Sequence, residues 1–114
     1  HEGVSGMGDL EQIAFQIISM VGTARSSYIE AIQAAKQGDY AKAEQLIKEG
    51  DEAFVEGHDA HTSLLTREAS GEKNIVSLLI LHAEDQLMSA EAFKTIALEF
   101  ISTYQRLDGK EETV

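Results

Sequence analysis

Four side chains that could do chemistry form two pairs with helical spacing. His58 and His61 are three residues apart, and so are His82 and Asp85. Residues three apart on an α-helix share a face, so the members of each pair can act together. Imidazole nitrogens and carboxylate oxygens bind metal ions, and a neutral imidazole can accept a phosphoryl group near pH 7. These four residues are therefore the candidates for a functional site.

The two pairs lie at similar distances from a turn at Gly71. His61 stands ten residues before this glycine, and His82 stands eleven residues after it. On two antiparallel helices both histidines would lie roughly 15 Å from the turn. We therefore expect the pairs to meet at one level, beside a segment from Ile18 to Gly22. Gly22 would allow a close approach there.

Three interpretations of these pairs stay open on spacing alone. In the first, the histidines are solvated or simply hydrogen-bonded, in a non-catalytic oligomeric bundle that regulates a partner protein. In the second, they bind a metal ion, since i,i+3 pairs on facing helices form metal sites inside bundles. In the third, one histidine is a nucleophile that carries a phosphoryl group.

The elements that must position these side chains are helices, because apolar residues recur at steps of three and four along most of the chain. Gly38 and Gly71 mark short turns, and Asp9 and Asp39 are the expected N-caps. We predict an all-α fold, an antiparallel three-helix bundle, followed by a frayed polar tail. The predicted helices run from about Asp9 to Lys36, from about Tyr40 to Glu68, and from near Asn74 to about Leu107.

Length and composition set limits on domains and partners. We interpret residues 1–6 as the remnant of an expression tag and residues 7–114 as a single domain. The chain has no cysteine, which excludes disulfides within it and fits a cytoplasmic location. Its net charge of −11 disfavours nucleic acid and anionic membranes as partners. No apolar run is long enough for insertion into a membrane.

The third helix is apolar almost all the way round where it begins. Ile75, Val76 and the run from Leu78 to Leu81 leave no polar face. A helix of this kind must be buried on more than one side, and one small bundle cannot supply that cover. We therefore predict self-association through this helix, with a cyclic homo-oligomer as the simplest form.

The segment that follows carries a resemblance to a known family. Residues 78–88, LLILHAEDQLM, resemble the signature around the active histidine of lactose/cellobiose-type IIA proteins of the phosphoenolpyruvate-dependent sugar phosphotransferase system, approximately L-L-x-V-H-A-Q-D-H-L-M. The resemblance covers about residues 9–107. Other segments that resemble the family pattern are Gly22–Ser26, Lys36–Tyr40 with Ala43 and Glu44, and Glu56–His58 with Thr62 and Leu65.

The resemblance implies a function and an assembly. It implies that His82 accepts a phosphoryl group on Nε2 from the histidine-containing phosphocarrier protein and passes it to a cysteine of a IIB component during uptake of lactose/cellobiose-type sugars. The protein would then be a phosphotransferase component with a phosphohistidine intermediate. The resemblance also implies a homotrimer in which Asp85 of three protomers meets on the threefold axis around one divalent cation, taken as Mg²⁺.

Three residues depart from the family pattern. Glu84 stands where the pattern often has glutamine, Gln86 where it often has histidine, and His61 where it often has glutamine. We expect Glu84 to face solvent, because an inward carboxylate would disfavour the phosphorylated state. A second hypothesis is that His61 and Gln86 are a compensating exchange of imidazole and amide across one pocket.

Overall fold

A computed structural model describes residues 5–114, which form three helices: α1 (Ser5–Lys36), α2 (Tyr40–Ala69) and α3 (Leu78–Leu107). The helices form an elongated bundle of 60 × 24 × 19 Å. α1 packs along both other helices, whereas α2 and α3 share a smaller contact. The predicted all-α, three-helix fold is thus confirmed. Residues 1–4 lie outside the described residues, and the tag interpretation of residues 1–6 stays a prediction.

The turn between α1 and α2 is the one that the sequence predicts. Gly38 has a φ of 83°, a left-handed conformation that favours glycine. The Asp39 amide bonds to the Ala34 carbonyl at 2.9 Å, and this closes the last turn of α1. The Asp39 side chain accepts from the Lys42 amide at 3.2 Å, which confirms this residue as the N-cap of α2.

The predicted starts of α1 and α3 are wrong. α1 already begins at Ser5, so Asp9 lies inside the helix, where its carboxylate accepts from Arg67 at 3.2 Å instead of capping. α3 begins at Leu78, four residues later than predicted. Asn74 has a φ of 62°, which a right-handed helix excludes, and Ser77 is the N-cap, accepting from the Ile80 amide at 3.2 Å.

Small residues bring α1 and α2 close together, but Gly22 is not one of them. A β-carbon on Gly22 would meet nothing within 4 Å, so the predicted close approach there is wrong. The close contacts are at two glycines of α2. A β-carbon on Gly50 would lie 2.5 Å from Cε1 of Tyr28, and one on Gly57 would lie 2.7 Å from Cγ1 of Val21. The register between the two helices depends on these contacts.

The tail after α3 folds back onto the bundle, so the prediction of a frayed tail is wrong. Gln105 is buried, with 2% of its surface exposed, and a buried amide requires hydrogen-bond partners. Thr113 supplies them: its backbone amide donates to Gln105 Oε1 at 3.0 Å, and its hydroxyl accepts from Gln105 Nε2 at 2.8 Å. The same hydroxyl donates to Glu44 of α2 at 2.7 Å.

Candidate functional site

His82 and Asp85 lie in the second and third turns of α3, on the side of the helix that no other helix covers. Both side chains are exposed. The opposite side of α3 is buried against α1 and α2 through Ile80, Ala83 and Leu87. The packing of these three residues fixes the rotation of the helix. It therefore presents the His82 imidazole and the Asp85 carboxylate outward.

Asp85 lies within a stripe of large apolar residues, which we call the outer face of α3. At 100° per residue, positions 78, 81, 85, 88 and 96 fall within roughly 80° of one another around the helix. An exposed stripe of large apolar residues is typical of an interaction surface, and here it surrounds one carboxylate. The apolar members of the outer face, with their exposed fractions, are Leu78 (83%), Leu81 (55%), Met88 (66%) and Ile96 (45%).

Glu84 does not face solvent, contrary to the sequence-based expectation. Nδ1 of His61 lies 2.6 Å from Oε1 and 2.7 Å from Oε2 of Glu84, which joins α2 to α3. The side chains are 18% and 29% exposed, respectively. A carboxylate only accepts hydrogen bonds, so Nδ1 carries the proton. The partner of His61 is therefore Glu84, and the structure gives no support to an exchange between His61 and Gln86.

The two pairs identified in the sequence lie at one level along α2 and α3, as predicted, but they do not meet in one pocket. His58 and His61 are neighbours, with ring centroids 5.8 Å apart, and Glu84 lies against His61. His82 lies roughly 160° around α3 from Glu84, on the other edge of the outer face. Among residues 5–114, no group of three or more metal-ligating side chains comes together within one chain. The interpretation of the histidines as an intramolecular metal site therefore lacks a ligand set.

Neither Arg25 nor Arg67, either of which could bind a phosphoryl group, lies beside His82. The Arg25 guanidinium stacks on Phe93 at 5.8 Å from the ring centroid, and Phe93 is roughly 16 Å further along α3 than His82. Arg67 donates to Glu72 at 2.7 Å and to Asp9 at 3.2 Å. The hydrogen bond from Arg67 lowers the pKa of the Glu72 carboxyl. Arg67 thus ties the start of α1 to the loop before α3.

The start of α3 provides positive potential near His82. The histidine is the fifth residue of the helix, and helical side chains lean toward the N-terminus. The first amides of a helix carry a partial positive charge that attracts anions. The Ser77 hydroxyl caps the Ile80 amide, but the Leu78 and Leu79 amides precede the first helical hydrogen bond. An anionic group on His82 therefore lies at the favourable end of the helix dipole.

The His61–Glu84 contact is the part of the site that sequence reasoning missed, although a signal for it existed. Lys94 and Asp51 carry opposite charges on α3 and α2, and their side chains pair at 3.0 Å. Because α2 and α3 are antiparallel, each step from Asp51 toward the end of α2 matches one step from Lys94 toward the start of α3. His61 lies ten residues after Asp51, and Glu84 lies ten residues before Lys94. The same register brings His61 opposite Glu84, so the charge pair could have located the contact.

Fold and site together define an all-helical protein with an exposed histidine beside an uncovered apolar face. The sequence matches the family described as "PTS system, Lactose/Cellobiose specific IIA subunit" over residues 12–105. The chain therefore belongs to the lactose/cellobiose-specific IIA family of the sugar phosphotransferase system. In the described part of the chain, no helix has the length and apolar character needed to cross a membrane.

Named relatives and a solved structure support this assignment. The chain is 38% identical to the "PTS system lactose-specific EIIA component" of Staphylococcus aureus (strain N315), over 86% of this chain and 95% of that protein. It is 42% identical to the "Lichenan-specific phosphotransferase enzyme IIA component" of Bacillus subtilis (strain 168), over 87% and 90%. The crystal structure of the PTS cellobiose-specific enzyme IIA from Bacillus anthracis superposes with a TM-score of 0.86 at 45% identity, covering 90% of this chain and 94% of that one.

Proposed function

We propose that this chain is a cytoplasmic phosphoryl carrier in which His82 is the phosphorylated residue. The exposure of His82 at the positive end of α3, within the segment that matches the family, carries the proposal. The donor is the phosphohistidine of the histidine-containing phosphocarrier protein. The acceptor is a cysteine of a IIB component, which passes the phosphoryl group on to a lactose/cellobiose-type sugar during uptake.

The chemistry needs one free ring nitrogen on a neutral His82. Nε2 attacks the phosphorus in line while the bond between phosphorus and the donor imidazole breaks. The His82 ring gives up its Nδ1 proton and the donor nitrogen that loses the phosphorus takes up a proton, so both rings end neutral. The reverse geometry serves the second transfer, in which a cysteine thiolate attacks and His82 is the leaving group. An exposed imidazole suits both steps, because two different partners must reach the same atom. The dipole of α3 stabilises the negative charge of the carried group.

The proposal includes a homotrimer assembled through the outer face of α3. Leu78, Leu81 and Met88 are each more than half exposed, and covering them gives an apolar driving force for association. Threefold symmetry would bring one Asp85 from each protomer to the axis. Three carboxylates at a dry interface repel one another unless a cation or protons intervene. Their oxygens suit Mg²⁺, which would neutralise this charge when bound.

Transfer of label from radioactive phosphoenolpyruvate, with the general phosphotransferase components added, tests the carrier function. The wild type should accept one phosphoryl group per chain. His82→Ala should lose the label and keep its helical circular dichroism, because the side chain is exposed and makes no core contact. His58→Ala is the matched control, since His58 is also exposed, and it should be labelled normally. Full labelling of His82→Ala would assign the carrier role to another residue.

A further inference from the structure

The His61–Glu84 contact lies on the edge of α3 opposite to His82. Around the helix, His82 stands roughly 60° to one side of Asp85, and Glu84 stands roughly 100° to the other side. α2 packs along the Glu84 edge, where it supplies His61 and the half-exposed Leu65. Within one protomer, the pair is therefore separated from His82 by the outer face of α3.

Assembly through the outer face brings these two edges together. In a cyclic trimer each α3 turns Asp85 toward the axis, so one edge of each helix faces the opposite edge of the next helix. Rotation about the axis keeps equal residues at equal heights. His82 and Glu84 differ by two residues, or about 3 Å along the helix. The His82 edge of one protomer therefore faces the Glu84 and His61 side chains of its neighbour.

We propose that the His61–Glu84 pair of each protomer lies beside the phosphoryl group that the neighbouring His82 carries, and that the hydrogen bond from His61 keeps the Glu84 carboxylate from repelling this group. This inference rests on the proposed function. A phosphoryl group brings close to two negative charges, and an unpaired carboxylate across a partly dry interface would repel it. The imidazole of His61 contacts both oxygens of Glu84, and this holds the carboxylate against α2 and away from the interface.

Because His61 positions the Glu84 carboxylate, the effect of changing one of these residues depends on whether the other is present. Without His61, Glu84 keeps its charge and is free to turn toward the neighbouring phosphoryl group. Without Glu84, there is no carboxylate for His61 to hold. Loss of both therefore does less harm than loss of His61 alone. If the contact were only a structural link between α2 and α3, either single substitution would break it. The double variant would then be no better than the single variants.

The first test measures how much His82 is phosphorylated at equilibrium with phosphoenolpyruvate, pyruvate and the general components. His61→Gln should lower the equilibrium constant about three- to tenfold. Glu84→Gln should leave it unchanged or raise it, and the double variant should return to the wild-type value. His61→Lys should also stay near the wild type, because an ammonium group donates strong hydrogen bonds to a carboxylate and can hold Glu84 in the same way. His58→Gln, one helical turn away, is the control and should have no effect.

The second test asks whether the pair acts across the interface. The His61→Gln chain is co-refolded with an excess of the His82→Ala chain, so most of the trimers that contain a His61→Gln chain place its intact His82 beside a neighbour with an intact His61. The phosphorylation equilibrium of the His61→Gln chain should then recover toward the wild type. No recovery, or a double variant as poor as His61→Gln alone, would overturn the inference. A wild type that is not labelled on His82 would instead overturn the proposed function.

Discussion

The two halves of the bundle are held together in different ways. The half that carries His82 has a core made by the first part of α1, the end of α2 and the start of α3. The distal half has a core made by the end of α1, the start of α2 and the end of α3. The outer face is more exposed in the His82 half, with 83% for Leu78 against 45% for Ile96.

Polar contacts between helices are concentrated in the distal half. The Tyr28 hydroxyl donates to Asp51 at 2.7 Å, and Lys94 pairs with the same carboxylate at 3.0 Å, which joins all three helices. Burial and this hydrogen bond raise the pKa of Tyr28, so the hydroxyl stays a donor at any physiological pH. The tail adds the buried contact between Gln105 and Thr113. The distal half therefore has its polar contacts satisfied within one chain.

The His82 half is less complete as a monomer. The partly buried His61–Glu84 contact joins α2 to α3 there. Arg67 joins the other elements through ion pairs at the surface, and such pairs contribute little in water. Its core is closed, but Leu78, Leu81 and Met88 of the outer face are each more than half exposed. This difference supports the proposed assembly, in which other copies of the chain cover the outer face in the His82 half while the distal half maintains the protomer fold.

The largest effect is expected from a charge on the outer face. Leu81→Asp would bury three carboxylates near the axis beside Asp85, and unpaired buried charges cost several kcal/mol. We expect the trimer dissociation constant to rise at least about 100-fold, which sedimentation equilibrium at micromolar concentration would detect as monomer. The monomer should keep its helical signal, because the distal half is unaffected.

The control for this change is Ala41→Asp, which adds the same charge at the exposed start of α2 in the distal half. It should sediment like the wild type. A wild-type protein that is monomeric at these concentrations would contradict the division between the halves. So would a Leu81→Asp variant that remains trimeric.

A smaller effect is expected from removal of divalent cation. If three Asp85 carboxylates meet at the axis, the cation stabilises the trimer by mass action, with about 2.7 kcal/mol at a concentration 100 times its dissociation constant. A chelator should then lower the thermal midpoint of the wild type at pH 7. Asp85→Leu extends the apolar face and should unfold at the same midpoint with or without chelator. Asp59→Leu, at an exposed position of α2, should keep the wild-type response. Identical wild-type midpoints in both buffers would count against an axial cation.

Much of this fold could be predicted from sequence, because its signals are local. Apolar steps of three and four give three helices, and Gly38 and Asp39 mark the turn between the first two. The start of α3 was misplaced because Ile75 and Val76 continue the apolar pattern outside the helix. Ile75 is buried as part of the loop, so its apolar character did not indicate helix there.

The site was predictable only as far as single residues. The histidine segment points to His82 and Asp85 without any knowledge of packing. The position of Glu84 around α3 and its contact with His61 depend on the rotation and register of α2 and α3. The prediction of a close approach at Gly22 is wrong for the same reason. A glycine allows two helices to approach closely only if it faces the neighbouring helix, and Gly50 and Gly57 are the glycines that do so.

The smallest effect is expected from a methyl group added at either of the two close contacts between α1 and α2. Gly50→Ala places a methyl group 2.5 Å from the Tyr28 ring, which is fully buried and held by its hydrogen bond to Asp51. Gly57→Ala places one 2.7 Å from a single Val21 methyl group in the His82 half. We expect Gly50→Ala to cost about 1–3 kcal/mol in unfolding free energy, as overpacked cores do, and Gly57→Ala to cost less.

Chemical denaturation at concentrations where the wild type stays trimeric measures these costs, and Gly22→Ala serves as the control. Its methyl group would meet nothing within 4 Å, so the higher helix propensity of alanine should stabilise this variant by up to about 1 kcal/mol. The order Gly50→Ala, Gly57→Ala, Gly22→Ala, from most to least destabilised, follows from one physical reason. A ring held by a hydrogen bond cannot move aside, a lone methyl group can move slightly, and open space needs no adjustment. If Gly57→Ala proved the costlier change, the distal half would be the more adaptable of the two, and the proposed division of the bundle would have to be reversed.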